Sequence, residues 1–187
     1  KEVIIPRNAD RPVYFLAPVL VVATVILIAA VIPFSPVVIG TDLSIGILYV
    51  LAVSSIGAIG IMMAGWGSNN KYALLGAFRV VAQLISYEVP TVLSAMIPVM
   101  IAGTLSMQGL VYSQHVWFIV SVPVAAVLFF IASQAELGRA PFDLLEAESE
   151  LVAGFNIEYS GMAFAMFYLA EFMHSFFVAI LFSVLFL

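Results

Sequence analysis

Long apolar runs separated by short polar or turn-rich segments dominate the chain. A membrane-spanning helix needs about 20 mostly apolar residues. Five runs meet that requirement: Val13 to Ile32, Leu43 to about Ala64, Tyr72 to about Leu105, Val116 to about Ala135, and Gly161 to the last residue, Leu187. Pro33 and Pro36 close the first run, and Gly40-Thr-Asp42 turns the chain. Gly65-Trp-Gly-Ser-Asn-Asn70 breaks the second run from the third. The third is long for one span and contains Arg79, Glu88, Pro90 and Pro98. It is therefore expected to project into water at its start and to kink further on. The pattern predicts an all-α fold, a polytopic transmembrane helix bundle with five helices, forming a single membrane domain over residues 1–187. Residues 136–160 are too long and too charged for a tight turn, and no internal repeat is visible. Because the chain starts at Lys1 and stops inside an apolar run, further sequence is expected at both ends.

Composition narrows the class. Of 187 residues, 64% are hydrophobic and only 9% are charged, with Lys+Arg 6 against Asp+Glu 11. The mean hydropathy of +1.19 excludes an ordinary soluble domain, a disordered chain and a nucleic-acid binder. With no cysteine, the sequence excludes disulfides, Cys-ligated iron–sulfur clusters and Cys-type zinc sites. The basic residues set the orientation. Lys1, Arg7 and Arg11 precede the first span, Lys71 and Arg79 begin the third, and Arg139 lies between the fourth and fifth. All six fall on one side, and the opposite loops, 33–42 and 106–115, have none. By the positive-inside rule that side is cytoplasmic, so the segment 136–160 is an acidic cytoplasmic loop.

Two carboxylates fall inside spans. Glu88 is about seventeen positions into the third and Glu171 about ten into the fifth. An ionised side chain near the bilayer centre costs several kcal/mol or more. No lysine lies within a span and no arginine lies deep in one, so no cation stands beside either acid in the sequence. Groups that exchange a proton at this depth suit a relay; the competing reading is a neutral glutamic acid bonded to backbone as a packing device. Pro90 removes its own N–H and frees the Ser86 carbonyl. Ser86, Tyr87 and Glu88 then form a polar cluster of a kind tolerated only inside protein or facing water. In the fifth span Tyr168, Glu171, His174 and Ser175 share one helix face. His174 suits a proton relay, and it can equally be a satisfied packing histidine. Glu171-x-x-His174 is half of a di-iron ligand spacing, but the second motif and the extra glutamates are missing, so no metal site is expected.

The segment 136–160 carries Glu136, Asp143, Glu146, Glu148, Glu150 and Glu158 against one basic residue, Arg139. Asp143 can cap a short helix that Gly154 ends. Crowded carboxylates raise one another's proton affinity. A solvated acidic loop is one reading. Leu, Phe, Val and Ile interleaved with the acids favour an ordered, partly buried acidic funnel. No phosphate loop, dinucleotide fingerprint or Ser-His-Asp set is present. Buried protonatable groups joined to an acidic loop point to proton or cation movement.

Two blocks carry a family resemblance. One is Gly67-Ser-Asn-Asn-Lys-Tyr-Ala-Leu-Leu-Gly-Ala-Phe-Arg79 with Ala82-Gln83 and Ile85-Ser-Tyr-Glu-Val-Pro90. The other is Arg139-Ala-Pro-Phe-Asp143, Glu146-Ala-Glu-Ser-Glu-Leu-Val-Ala-Gly-Phe-Asn-Ile-Glu-Tyr-Ser-Gly161 and Ala170-Glu171. Both resemble the quinone-site membrane subunit of respiratory complex I, the bacterial type I NADH dehydrogenase, which anchors its peripheral arm. The likeness covers essentially the whole chain, as a central to C-terminal part of an eight-helix family fold. The one departure is Leu137-Gly138 after Glu136, where many relatives have Thr-Asn.

The resemblance implies a subunit of a proton-translocating NADH:quinone oxidoreductase in the bacterial inner membrane. Its partners would be the other membrane and peripheral-arm subunits, quinone and the lipid bilayer. Quinone, ubiquinone or menaquinone, would be its substrate, with no haem, iron–sulfur cluster or metal held by this chain. Glu88, Glu136 and Glu171 resemble the buried glutamates of the proton path. Asp143, Glu146, Glu148, Glu150 and Glu158 resemble the acidic loop at its mouth. Arg79 and Arg139 resemble basic residues that balance these acids near the quinone chamber. The alternatives are the homologous subunit of a membrane-bound hydrogenase or of a ferredoxin- or deazaflavin-linked complex, and a stand-alone cation/proton transporter. Transporters usually show internal repeats, which this chain lacks.

Glu146 lies among Asp143, Glu148 and Glu150, and Glu146→Gln keeps its shape while removing its titration. The substitution is expected to lower quinone reductase activity and proton pumping strongly while assembly stays normal. The measurement is membrane NADH-to-quinone turnover and proton uptake, normalised to assembled complex on a native gel. Unchanged values would return the segment to a solvated loop.

Overall fold

The computed structural model describes residues 5–35, 38–139, 141–142 and 154–187. Lys1, Asp143, Glu146, Glu148 and Glu150 lie outside the described residues, as does the short helix expected before Gly154. The described elements are all helical. Helices α1 (Arg11–Ala29), α2 (Gly46–Gly67) and α3 (Lys71–Ala102) come first. The short α4 (Met107–Ser113) and α5 (Phe118–Ser121) follow, then α6 (Pro123–Glu136), a 3-10 turn (Gly154–Asn156) and α7 (Gly161–Phe186). Among the described residues, α1, α2, α3 and α7 are each long and apolar enough to cross a membrane. At 1.5 Å per residue the 32-residue α3 is about 48 Å long, well beyond a hydrocarbon core of about 30 Å. It runs through Pro90 and Pro98 as one helix.

The fourth expected span is not one helix. It divides at Val122, whose φ of −134° and ψ of 62° lie outside the helical region. Pro123 is the reason: its ring crowds the preceding residue out of the α conformation, and it serves as the first residue of α6. The preceding loop also holds a helix that the apolar pattern did not announce. Ser106 caps α4 by accepting from the Gly109 N–H at 3.2 Å.

The helix ends sort the polar residues. The Asp10 N–H donates to the Gly67 carbonyl, and the Asn69 amide donates to the Asn8 carbonyl. Asn70 caps α3 and its Nδ2 donates to Glu158 at 2.6 Å. These bonds gather Arg7, Arg11 and Lys71 at one end. At the other end the Ser106 hydroxyl donates to Asp42 and the Ile47 N–H donates to the Leu105 carbonyl. Trp66 and Trp117, both largely exposed, sit near opposite ends, as expected for rings anchored at two membrane surfaces.

The interior contains two hydrophobic clusters. One, toward the Asp42 end, packs Val25, Ile28, Ile47, Phe129, Phe177 and Leu185. The other, toward the Lys71 end, packs Tyr14, Ala17, Ala77, Val80, Phe155 and Phe167. In the second, Tyr14 and Tyr159 stack with ring centroids 4.2 Å apart and planes 3° from parallel. Each phenol also donates to the other's segment. Tyr14 reaches the Glu158 carbonyl at 2.8 Å and Tyr159 the Tyr14 carbonyl at 3.1 Å. Burial pushes the Tyr159 phenol above its ordinary pKa, and neighbouring Tyr14 adds to this against a hydrogen bond with Ser68. The outer surface is apolar, with Leu93, Met100, Val124 and Leu169 exposed. That is the surface of a multi-pass membrane protein, facing lipid or other helices.

Gly76 is where the second cluster depends on a missing side chain. A Cβ there would lie 2.8 Å from the Gly154 carbonyl carbon and 2.9 Å from the Phe155 nitrogen. Backbone cannot yield as a side-chain tip can. Gly76→Ala is expected to destabilise the chain by about 1–3 kcal/mol, the range for overpacking a core. Thermal unfolding in detergent measures it; an unchanged midpoint would mean the 3-10 turn does not pack on α3.

Candidate functional site

Between the two clusters lies a cavity of about 240 Å³. Its walls mix apolar groups with Thr24 of α1, Ser54 of α2, Glu136 of α6, Asn156 of the 3-10 turn, and Tyr168, Glu171 and His174 of α7. A second, smaller space shares Ser54, Glu136 and His174 and adds Thr91 of α3. Glu136 thus stands where the two spaces meet. It is within hydrogen-bonding reach of the Thr91 hydroxyl and within electrostatic range of Glu88. The Ser55 hydroxyl of α2 donates to the Glu88 carboxylate. Glu88, Glu136 and Glu171 are all half-buried.

The helix ends explain how Glu136 reaches this depth. Helix α6 stops at Glu136, and Gly138 follows with φ +61°. The Arg139 N–H donates to the Gln134 carbonyl and the Gly138 N–H to the Ala135 carbonyl. This pair of bonds is the Schellman arrangement, in which a residue in the left-handed region satisfies the last carbonyls of a helix. Glycine takes that conformation without a Cβ penalty, and Asn also tolerates it. The turn sends the next side chain the other way. Arg139 donates to the Ser175 hydroxyl of α7 at 3.2 Å and lies over the Phe172 ring, 5.4 Å from its centroid.

Arg139 therefore stands against the middle of α7, on the part of the helix that carries Phe172 and Ser175. The span-by-span reading placed no cation at that depth. It counted Arg139 as a loop residue, because a helix that ends inside the bundle cannot be seen from hydropathy. Arg79 is half-buried on α3 between Lys71 and Gln83. Glu158 sits away from the cavity, near the Lys71 end, where Asn70 and the tyrosine pair hold it. The structure thus brings Glu136, Glu171 and His174 to shared cavity walls with Glu88 in electrostatic range of Glu136, sets Arg139 on the Phe172–Ser175 part of α7, and separates Glu158 from them. Ser54, Ser55, Thr91 and Asn156 were missed by the sequence reading. Thr91 and Gln83 carried a usable signal, since polar side chains at i and i+8 share a helix face with Tyr87 between them. Among the described residues, no group of three or more His, Asp or Glu side chains could hold a metal ion.

The fold and the site define a multi-pass helical membrane protein with acids and an arginine inside the bundle. A family model described as NADH dehydrogenase matches residues 1–187, and the chain belongs to that family. It is 50% identical over 188 residues to the H subunit of the NADH-quinone oxidoreductase of Geobacillus thermodenitrificans (strain NG80-2), covering 100% of this chain and 57% of that protein. The H subunit of the Dehalococcoides mccartyi (strain CBDB1) enzyme is 53% identical over 187 residues, 100% of this chain and 53% of that protein. That of Carboxydothermus hydrogenoformans is 48% identical over 188 residues, 100% of this chain and 54% of that protein. The chain spans about half the length of the curated relatives it matches.

The Arg139 contact predicts its own test. Arg139→Ala is expected to cost about 1–2 kcal/mol through the lost bond to Ser175 and the lost contact with Phe172. Arg139→Lys should recover less than half of that, because an ammonium lacks the planar fork that bonds and stacks together. Thermal unfolding of the three forms in detergent decides it. Equal midpoints would place the guanidinium in solvent instead.

Proposed function

We propose that this chain is part of the membrane subunit of a proton-translocating NADH:quinone oxidoreductase, a single membrane domain that carries the inner part of its proton path. The observation that supports this best is the shared wall of the two cavities, where Glu136 meets Glu171 and His174 on one side and Thr91 and Glu88 on the other. Carboxyl and imidazole groups linked through hydroxyls can pass a proton by successive short transfers, each needing only a hydrogen-bonded neighbour or one water. Ser55 and Thr91 supply such hydroxyls at Glu88 and Glu136. Arg139 supplies a fixed positive charge that stabilises an ionised carboxylate nearby without accepting a proton itself.

In this reading Asp143, Glu146, Glu148 and Glu150, with Glu158, form the acidic mouth on the cytoplasmic side of the bacterial inner membrane. Arg79 and Arg139 balance the acids near the quinone chamber. The substrate of the assembled enzyme is a quinone, ubiquinone or menaquinone, and the redox centres belong to other subunits of the complex. The relatives are named as NADH-quinone oxidoreductase subunits, which supports this assignment.

The test uses the full-length protein in the assembled complex. Glu136→Gln and Glu171→Gln remove titration and nearly preserve volume. Each is expected to lower NADH-driven proton uptake and quinone turnover by at least about a hundredfold, the lower range for loss of a proton-transfer group. Electron transfer from NADH to ferricyanide, which bypasses the membrane, should be unchanged. If both variants retain uptake and turnover, the cavity acids are packing groups and the proposal fails.

A further inference from the structure

Gln83 is a buried amide that the carboxylate path does not use. It is 7% exposed. Its Nε2 donates to the Ala135 carbonyl at 2.6 Å and to the Phe142 carbonyl at 2.9 Å. Both amide hydrogens are therefore occupied, and both neighbours are pure acceptors, which fixes the nitrogen toward them. The Oε1 is buried and has no hydrogen-bond partner among the described residues. An unpaired buried acceptor is costly and offsets much of what the two bonds contribute. The effect of Gln83 thus lies in geometry more than in net stability.

Its two acceptors bracket the α6 turn. Ala135 belongs to the last turn of the helix, and Phe142 follows Arg139 by three residues. Glu136 and Arg139 leave the chain between these anchor points in different directions, one toward Thr91 and the other toward Ser175. Gln83, Tyr87 and Thr91 follow one another at i,i+4 along α3 and meet this segment in order. Gln83 takes the two carbonyls, the Tyr87 ring lies 5.5 Å from Phe142, and Thr91 reaches Glu136.

We propose that Gln83 is a positioning residue that clasps both sides of the α6 turn to α3, and so holds Glu136 and Arg139 in the bundle interior. It carries no proton itself; it acts through Glu136. The functional half of this inference rests on the proposed proton path, and its structural half does not.

The experiment uses the full-length protein in the assembled complex. Gln83→Leu keeps similar volume and removes both donors. It is expected to lower quinone turnover by about tenfold or more, as small displacements of reacting groups do, with NADH-to-ferricyanide transfer unchanged. Combined with Glu136→Gln it should give turnover within about twofold of Glu136→Gln alone, because residues acting through one another are not additive. Multiplied losses would mean that Gln83 does not act through Glu136 and would overturn the proposal. A purely structural weakening would scale turnover equally at every pH. Displacement of Glu136 should instead move a limb of the pH profile, and an unmoved profile counts against the clasp.

A direct structural readout stands beside these. Leu137 is 7% exposed. Leu137→Cys, in a segment whose 187 residues hold no cysteine, should react slowly with N-ethylmaleimide at that site, read against the same protein without Leu137→Cys, and about tenfold faster when Gln83→Leu releases the turn. Equal labelling rates would refute the clasp. If Gln83→Leu blocks assembly, Gln83→Asn serves in its place, since its shorter amide cannot reach both carbonyls. Should Glu136→Gln alone leave turnover unchanged, the proton-path reading fails while the labelling rates still decide the clasp.

Discussion

A helix that ends inside a membrane bundle leaves carbonyl oxygens where no bulk water can reach them. Helix α6 ends in this way, and the polar interior of the molecule is organised around meeting that demand. The backbone turn at Gly138 takes two of the carbonyls, and Gln83 from α3 adds a donor at Ala135 and another at Phe142. Once the turn is held, the side chains on either side of it are committed. Glu136 faces α3 and the cavities, and Arg139 faces α7. The acid and the base lie at this depth because the backbone already had to be satisfied there.

The two hydrophobic clusters follow from the same arrangement. A layer holding Glu136, Glu171, His174, Ser54 and Thr24 cannot pack like leucine, so apolar residues condense above and below it. The space left between them, about 240 Å³, is bounded by groups that can bind water. The clusters fix the helices, and the layer between them holds the titratable groups Glu136, Glu171 and His174.

The class of fold was legible because hydrophobic run length is a strong signal and the bilayer sets the scale. The positions of Glu88 and Glu171 within their helices were legible because each lies well inside a long apolar run. The break at Val122 was written in Pro123, but a proline near a span end reads equally as a kink. The depth of Arg139 was not legible. It depends on where α6 stops relative to α7, a tertiary fact that no single run encodes. Gln83 was hidden for a related reason, since its value lies in two carbonyls more than fifty residues away in sequence. Glu158 misled in the opposite sense. It belongs to the acidic segment by sequence, yet its partners are Asn70 and the tyrosine stack.

That stack also bears on how the chain is made. Tyr14 and Tyr159 join residues about as far apart in the sequence as any in the structure. Synthesis delivers α1 to the membrane long before α7 exists. Through that interval the α1–α2 hairpin stands without the ring that later covers Tyr14. A phenol near the end of a span tolerates the wait, because its hydroxyl can stay at the headgroup level. The second cluster therefore closes late, when the arrival of residues 154–167 seals the end of the bundle that carries Arg7, Arg11 and Lys71. A ribosome stalled before that point would leave a hairpin already in the membrane whose end is still open to surveillance by membrane proteases.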